Sequence, residues 1–134
     1  MKIGKPFTRR KSRQGALILI VDDDLHVRQM LRHMFERDGH EVIEAEDGRA
    51  AWELVPVRHP AILVTDLQMP GLDGFSLCRE LREHGFRQLR IIVYTGQLVT
   101  AEDTRNAGAD ELVLKTEPLS HLRDLVLKQR RNLP

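Results

Sequence analysis

Five short apolar runs, at residues 17–21, 41–44, 61–65, 91–94 and 112–114, alternate with stretches long enough for a helix, and this alternation constrains the fold more than any other feature of the chain. Strands that are apolar along nearly their whole length belong to a sheet covered on both faces, since a sheet with one wet face shows alternating polarity. Helical spacing fills the gaps. Val27, Met30, Leu31 and Met34 fall at i, i+3, i+4 and i+7, one buried helix face, and Gly39 is placed as its stop. Ala50, Ala51, Leu54 and Val55 mark a second helix with Asp47 as N-cap. Leu77, Cys78 and Leu81 mark a third, after the turn at residues 69–74. Between Thr100 and Gly108 only Ala101 and Ala107 are apolar, which predicts a weak fourth helix. Leu122, Leu125 and Val126 mark a last one, expected to fray into Lys128, Arg130 and Arg131. The order βαβαβαβαβα with right-handed crossovers gives an α/β fold, a doubly wound parallel sheet with helices on both faces.

Four of the five runs lead into residues able to handle a phosphoryl group. The first leads into Asp22, Asp23 and Asp24, the third into Asp66, the fourth into Thr95 and the fifth into Lys115; only the run at 41–44 lacks such an ending. In a parallel sheet these ends lie side by side, at the edge where open α/β sheets bind ligands. Clustered carboxylates repel one another, and a hard divalent cation such as Mg2+, bound by one or two carboxylates and water, relieves this. A carboxylate so held can attack a phosphoryl donor and become an aspartyl phosphate. The three phosphoryl oxygens then find partners in Mg2+, Lys115 and the Thr95 hydroxyl with nearby N–H groups. Each residue also has a plainer reading: Asp22 to Asp24 as a helix cap, Asp66 as a turn residue, Thr95 as a strand end and Lys115 as a solvated lysine. Asp24 and Asp73 read as helix caps, Cys78 as core and Trp52 as a half-exposed aromatic; the six histidines show no metal-ligand spacing.

Val21-Asp22-Asp23-Asp24, Asp66-Leu67-Gln68-Met69-Pro70-Gly71-Leu72-Asp73-Gly74, Tyr94-Thr95-Gly96, Ala107-Gly108-Ala109 and Lys115, in this order across residues 16–131, resemble the receiver domain of two-component response regulators. The resemblance implies a flavodoxin-like sheet of order 2-1-3-4-5. It implies Asp66 as phospho-acceptor from a histidine kinase or phosphotransfer protein, with Thr95 as switch hydroxyl and Lys115 pairing the phosphate. Mg2+ would sit on Asp23 and Asp66, with Asp22 acting through water and the Gln68 backbone carbonyl completing the site. Such a chain is a signalling switch and not an enzyme, beyond catalysing its own phosphorylation and dephosphorylation. Three departures bear on switching. Thr116 follows Lys115 where the family usually has proline, often after a cis bond; a cis bond before a non-proline residue costs about 2.5–4 kcal/mol, so a trans bond and a displaced ammonium are expected. Leu112 stands where an aromatic usually swings inward. The stretch from Thr95 to Gly108 is short, which argues against a homodimer through the fourth helix. Gln68 and Gln97 stand where the family tunes hydrolytic water.

The composition narrows the remaining classes. In 134 residues, 41% are hydrophobic and 31% charged, as in a one-domain globular protein with one core. No apolar stretch approaches the roughly 20 residues of a membrane span, and the first fifteen residues lack the core of a secretory signal, so a cytoplasmic location is expected. One cysteine permits no internal disulfide. Six of the twenty-one cations and none of the twenty acids lie in residues 1–14, leaving a net −5 on the remainder. The expected organisation is a disordered basic tail at 1–14, the receiver domain at 15–131 and a C-terminal end at 132–134, with no output domain after it. The acidic body argues against nucleic acid as a partner, leaving a kinase or phosphotransfer protein upstream and a protein target or an output domain downstream. Two other classes compete: a docking module indifferent to phosphorylation, favoured by Leu112 and Thr116, and a haloacid-dehalogenase-like phosphohydrolase using Asp22 of an Asp22-x-Asp24 pair, disfavoured because only Glu117 and Asp124 supply acids after Lys115.

Overall fold

The computed structural model describes residues 15–131 and 133; the expectations for the tail at 1–14 and for residues 132 and 134 fall outside them. The strands are β1 (Leu17–Val21), β2 (Glu41–Ala45), β3 (Ile62–Thr65), β4 (Arg90–Thr95) and β5 (Glu111–Leu114). They alternate with α1 (Leu25–Arg37), α2 (Gly48–Arg58), α3 (Gly74–Glu83), α4 (Ala101–Asn106) and α5 (Leu119–Arg131). All pairings are parallel, in the order β2-β1-β3-β4-β5 expected above.

Side-chain alternation along each strand splits the core in two. Leu19, Val21, Leu63, Ile91 and Val93 pack against Ala51 and Val55 of α2 and Leu77, Cys78 and Leu81 of α3. Ile18, Ile20, Ile62, Val64 and Ile92 pack on the other face against Leu31 and Phe35 of α1 and Leu122 and Val126 of α5. Cys78 is fully buried, and burial pushes its thiol up to about 12. The N-caps are Asp24, Asp47, Asp73 and Thr100, each accepting a first-turn backbone N–H. Gly39 follows α1 at a φ of 91°, as its stop position requires.

Two helical expectations change. The buried face of α1 follows the i, i+4 ladder through Leu31 and Phe35, with Val27 only half-buried, and Met30 is left 42% exposed. Phe35, which the i, i+3, i+4, i+7 spacing left out, completes the buried ladder four residues beyond Leu31, and Met30 lies at its exposed margin. The end of α5 does not fray: it stays helical through Arg131, with Gln129 buried and donating to Glu111 (3.2 Å), to which Lys128 also donates (3.1 Å). Its terminal cations also suit the negative end of the helix dipole. The short α4 is a six-residue helix, as its composition suggested.

Two local constraints frame the carboxyl edge of the sheet and its opposite end. A Cβ on Gly74 would lie 2.2 Å from the Asp66 carbonyl oxygen and 2.9 Å from Leu67 Cα, so only glycine lets α3 begin directly over the end of β3. At the other end the buried His40 ring accepts the Ala16 N–H through Nδ1 (3.1 Å) and meets Phe35 edge-on. Burial holds its pKa below the ordinary value of about 6.5, against Asp38, which raises it, and with Arg130, which lowers it.

Two outcomes follow for stability. Gly74→Ala should destabilise the fold by about 1–3 kcal/mol in urea unfolding, the scale of overpacking against atoms that cannot move aside. Because the folded state holds His40 neutral, its contribution is complete above about pH 6.5 and is lost as pH falls through that value toward the depressed folded pKa. The thermal midpoint should therefore drop on acidification through this window, and drop less in His40→Gln, measured by circular dichroism.

Candidate functional site

The strand register assembles the site. Val21 pairs with Thr65, so Asp22 and Asp66 leave the sheet together; Thr95 pairs with Leu114, so Lys115 leaves beside Thr95. Lys115 Nζ donates to Asp22 Oδ2 and to Asp66 Oδ2, both at 2.9 Å. Asp22 Oδ1 accepts the Asp24 N–H (2.9 Å), and Asp66 Oδ1 accepts the Leu67 N–H (2.7 Å) with the Gln68 N–H farther off at 3.5 Å. Asp22, Asp66 and Thr95 are buried, whereas Asp23, Gln68 and Gln97 are exposed. The Thr95 Oγ accepts the Gln97 N–H (3.1 Å), which ties the hydroxyl to the loop after β4.

Charge and burial oppose each other here. Burial raises the Asp22 pKa more than its bonds to Lys115 and the Asp24 N–H pull it back, and Asp66 adds repulsion. Burial by itself would lower the Lys115 pKa, but its bonds to Asp22 and Asp66 and their charges outweigh it, so the ammonium is held above the ordinary lysine value. One cation thus bridges two carboxylates while the Asp23 carboxylate faces solvent. Oxygens of Asp22, Asp23 and Asp66 lie within 4.8 Å of one another. An all-oxygen set, open on the Asp23 side, fits a hard divalent cation that retains water.

The Lys115–Thr116 bond is trans, as are all peptide bonds among the described residues. With Thr116 in place of proline, the Lys115 ammonium reaches both acids at bonding distance. Leu112 is half-buried on the α2–α4 face, and Tyr94 lies on the α1–α5 face with its ring 5.7 Å from Lys115 Nζ. Asp24 and Asp73 are caps; Trp52 is half-buried, edge-on to His84.

Sequence reasoning missed the residues that hold the backbone. Arg28 donates to the Asp22 carbonyl (2.7 Å) and to Glu44 (3.0 Å), pinning the loop after β1. The Thr65 hydroxyl donates to the Asp66 carbonyl (2.8 Å). Glu117 accepts the Leu114 N–H (2.7 Å) and faces His121. Arg28 on the first helix and an acid on the adjacent strand carried a signal only in retrospect, because nothing local pairs them. Likewise, the Gly108 carbonyl in Ala107-Gly108-Ala109 accepts from Arg82 of α3 (2.8 Å).

A family model described as "Response regulator receiver domain" matches residues 18–127. Response regulator MprA of Mycolicibacterium vanbaalenii is 40% identical over 107 residues, 78% of this chain and 46% of the relative. Transcriptional regulatory protein SrrA of Staphylococcus aureus is 33% identical over 111 residues, 83% of this chain and 45% of the relative. The chain spans less than half the length of these curated relatives. Among solved structures, a two-component response regulator of the LuxR family from Aurantimonas superposes with a TM-score of 0.82 at 30% identity, covering 89% of this chain and 87% of that one. Response regulator TrrA from Thermotoga maritima, in complex with Mg2+ and BeF, superposes with a TM-score of 0.78 at 28% identity, covering 85% and 98%. The family match takes in the whole acidic cluster together with Thr95 and Lys115, and the chain therefore belongs to the response regulator receiver domains, signalling domains of two-component systems.

Proposed function

We propose that this chain is a phosphorylation-controlled switch that accepts a phosphoryl group on Asp66 from a histidine kinase or phosphotransfer protein. The observation that carries the reading is the Lys115 ammonium held 2.9 Å from both Asp22 and Asp66 at the carboxyl edge of the sheet. Asp66 Oδ1 is engaged by the Leu67 N–H, which leaves Oδ2, on the Lys115 side, as the attacking oxygen. The Oδ2–phosphorus bond forms as the phosphoryl group leaves the donor histidine, whose nitrogen keeps the bonding pair. Asp66 then becomes a mixed anhydride and loses its carboxylate charge. Lys115 gives up that partner and takes a phosphoryl oxygen, while keeping Asp22.

Asp23, Asp66 and the Gln68 carbonyl would hold Mg2+, with Asp22 acting through water. When bound, Mg2+ supplies neutralisation of the phosphoryl oxygens. The Thr95 hydroxyl accepts from Gln97 N–H and still has its proton to donate to a phosphoryl oxygen, which would draw the loop from Gln97 to Thr100 toward the site. Leu98, 92% exposed in that loop, would report the change to a partner. With a half-buried Leu112 packed against the core in the aromatic's place, the readout runs through this loop and not through an aromatic swing. The phosphoryl group carries about −1.5 to −2 charge and replaces the single carboxylate charge of Asp66, a net gain of about −0.5 to −1 that biases the loop between two positions. The output is a downstream protein or a further domain, as the greater length of the relatives suggests. No helix among the described residues is long and apolar enough to cross a membrane, and a cytoplasmic place of action fits this role. Attack of water on the same phosphorus returns the Asp66 carboxylate and releases inorganic phosphate, and Gln68 and Gln97, exposed beside the site, stand where their amides would position or block that water.

Intact-mass measurement after incubation with Mg2+ and acetyl phosphate should show a gain of one phosphoryl group, lost in Asp66→Ala and in the presence of a chelator. A gain that survives Asp66→Ala would refute the acceptor assignment, and modification of Asp22 with turnover of phosphate esters would favour the phosphohydrolase. Lys115→Ala should slow the gain by on the order of 10²-fold, as expected for losing one charge stabiliser. Partner binding equal in wild type and Asp66→Ala would favour the docking module.

A further inference from the structure

We infer that Glu117 is a positioning residue that aims the Lys115 ammonium at Asp22 and Asp66 by clamping the turn in which Lys115 sits; this rests on the role proposed for Lys115. A lysine head hangs on four methylenes, so its direction depends on how firmly the backbone beneath it is fixed. Lys115 is the first residue beyond β5, an edge strand paired only with β4. Its own N–H donates to the Thr95 carbonyl (2.7 Å), and past that bond the sheet gives it no support.

Glu117 supplies what is missing. Its backbone N–H donates to the Leu114 carbonyl (2.9 Å), closing a turn with Lys115 and Thr116 at its centre. Its carboxylate reaches back over the same turn, and Oε2 accepts the Leu114 N–H (2.7 Å). Both backbone groups of Leu114 are therefore bound by one residue, and the N–H that Leu114 turns away from β4 is covered. The other carboxylate oxygen accepts from His121 Nδ1 (2.5 Å), in the first turn of α5, so the clamp is anchored to a helix. The Leu114 N–H, followed by His121, holds the Glu117 carboxyl below the usual range, which keeps it charged at neutral pH. Pro118 follows with its fixed φ and restricts Glu117 to extended conformations. The turn holds with Thr116 after Lys115, and the ammonium still reaches both acids.

A plainer role is that Glu117 only stabilises the start of α5. The two roles part in what they do to Lys115. In the full chain, Glu117→Met removes the acceptor at similar size, and Glu117→Gln keeps an amide oxygen for the Leu114 N–H. Measurements are made well below each variant's unfolding midpoint. With Mg2+ and acetyl phosphate, Glu117→Met should lower the phosphorylation rate constant by about tenfold to a hundredfold, the scale of a misplacement of about 1 Å. Glu117→Gln should recover most of the rate. The Mg2+ dissociation constant by calorimetry should not rise, because the three carboxylates stay in place. In the Lys115→Ala background the Glu117→Met effect should vanish, since both changes act through one ammonium. In nitrogen-labelled protein, the Lys115 Nζ resonance should move toward those of solvated lysines in Glu117→Met alone. A wild-type rate in Glu117→Met, or an equal loss in the Lys115→Ala background, overturns the inference. Should wild type take no phosphoryl group at all, the proposed function fails separately. The Nζ resonance then decides the clamp: a shift supports it and an unchanged signal refutes it.

Discussion

The ammonium of Lys115 is the contact on which the rest of the site depends. Two carboxylates, Asp22 and Asp66, are buried at the end of a sheet within a few ångströms of each other. Burial and mutual repulsion both work against their charged forms. A single cation shared between them, at 2.9 Å from each, offsets part of both costs while the pocket stays open on the Asp23 side. A buried charge whose partner is removed is destabilised far more than a pair that was never made, so the three groups act as one unit.

That unit is only as well placed as the backbone under it, and each strand end has its own lock. Arg28 ties the Asp22 carbonyl to Glu44 of the neighbouring strand. The Thr65 hydroxyl fixes the Asp66 carbonyl, and Gly74 lets α3 start against it with no side chain between. Lys115 donates its N–H to Thr95 and lies in the turn closed by Glu117. Three strand ends are thus held by bonds to main-chain groups, and one helix start by the lack of a side chain. Side-chain geometry at the centre is sensitive to residues that never touch the ligand. The proposed moving part is the loop after Thr95, whose tie to the site is a single bond from the Gln97 N–H to a hydroxyl.

The fold was legible because most of its strands, though not the edge strand β2 with Glu41 and Glu44, are apolar on both faces and its helices carry a different period, two signals that local sequence cannot counterfeit over so many repeats. Asp22, Asp66, Thr95 and Lys115 were legible because each sits at the end of such a run, so locating the strand located the residue. Met30 misled because i, i+3 and i, i+4 positions lie on overlapping faces, and the helix settles with Leu31 and Phe35 against the sheet and Met30 at the margin. The end of α5 misled because its cationic residues read as solvated, whereas Glu111 on β5, distant in sequence, gives Lys128 and Gln129 partners.

The sequence by itself determined the alternation of elements, the two-sided core and which polar residues stand at the strand ends, because periodicity and strand ends are local properties. The tertiary structure alone decided that Lys115 reaches both acids despite Thr116, and that Arg28, Thr65 and Glu117 hold the frame. Those outcomes depend on register between strands and on bonds to main-chain groups, which any residue type provides and which no side-chain pattern reveals. A sequence records which side chains are available; only the folded backbone fixes the distances at which their charges meet.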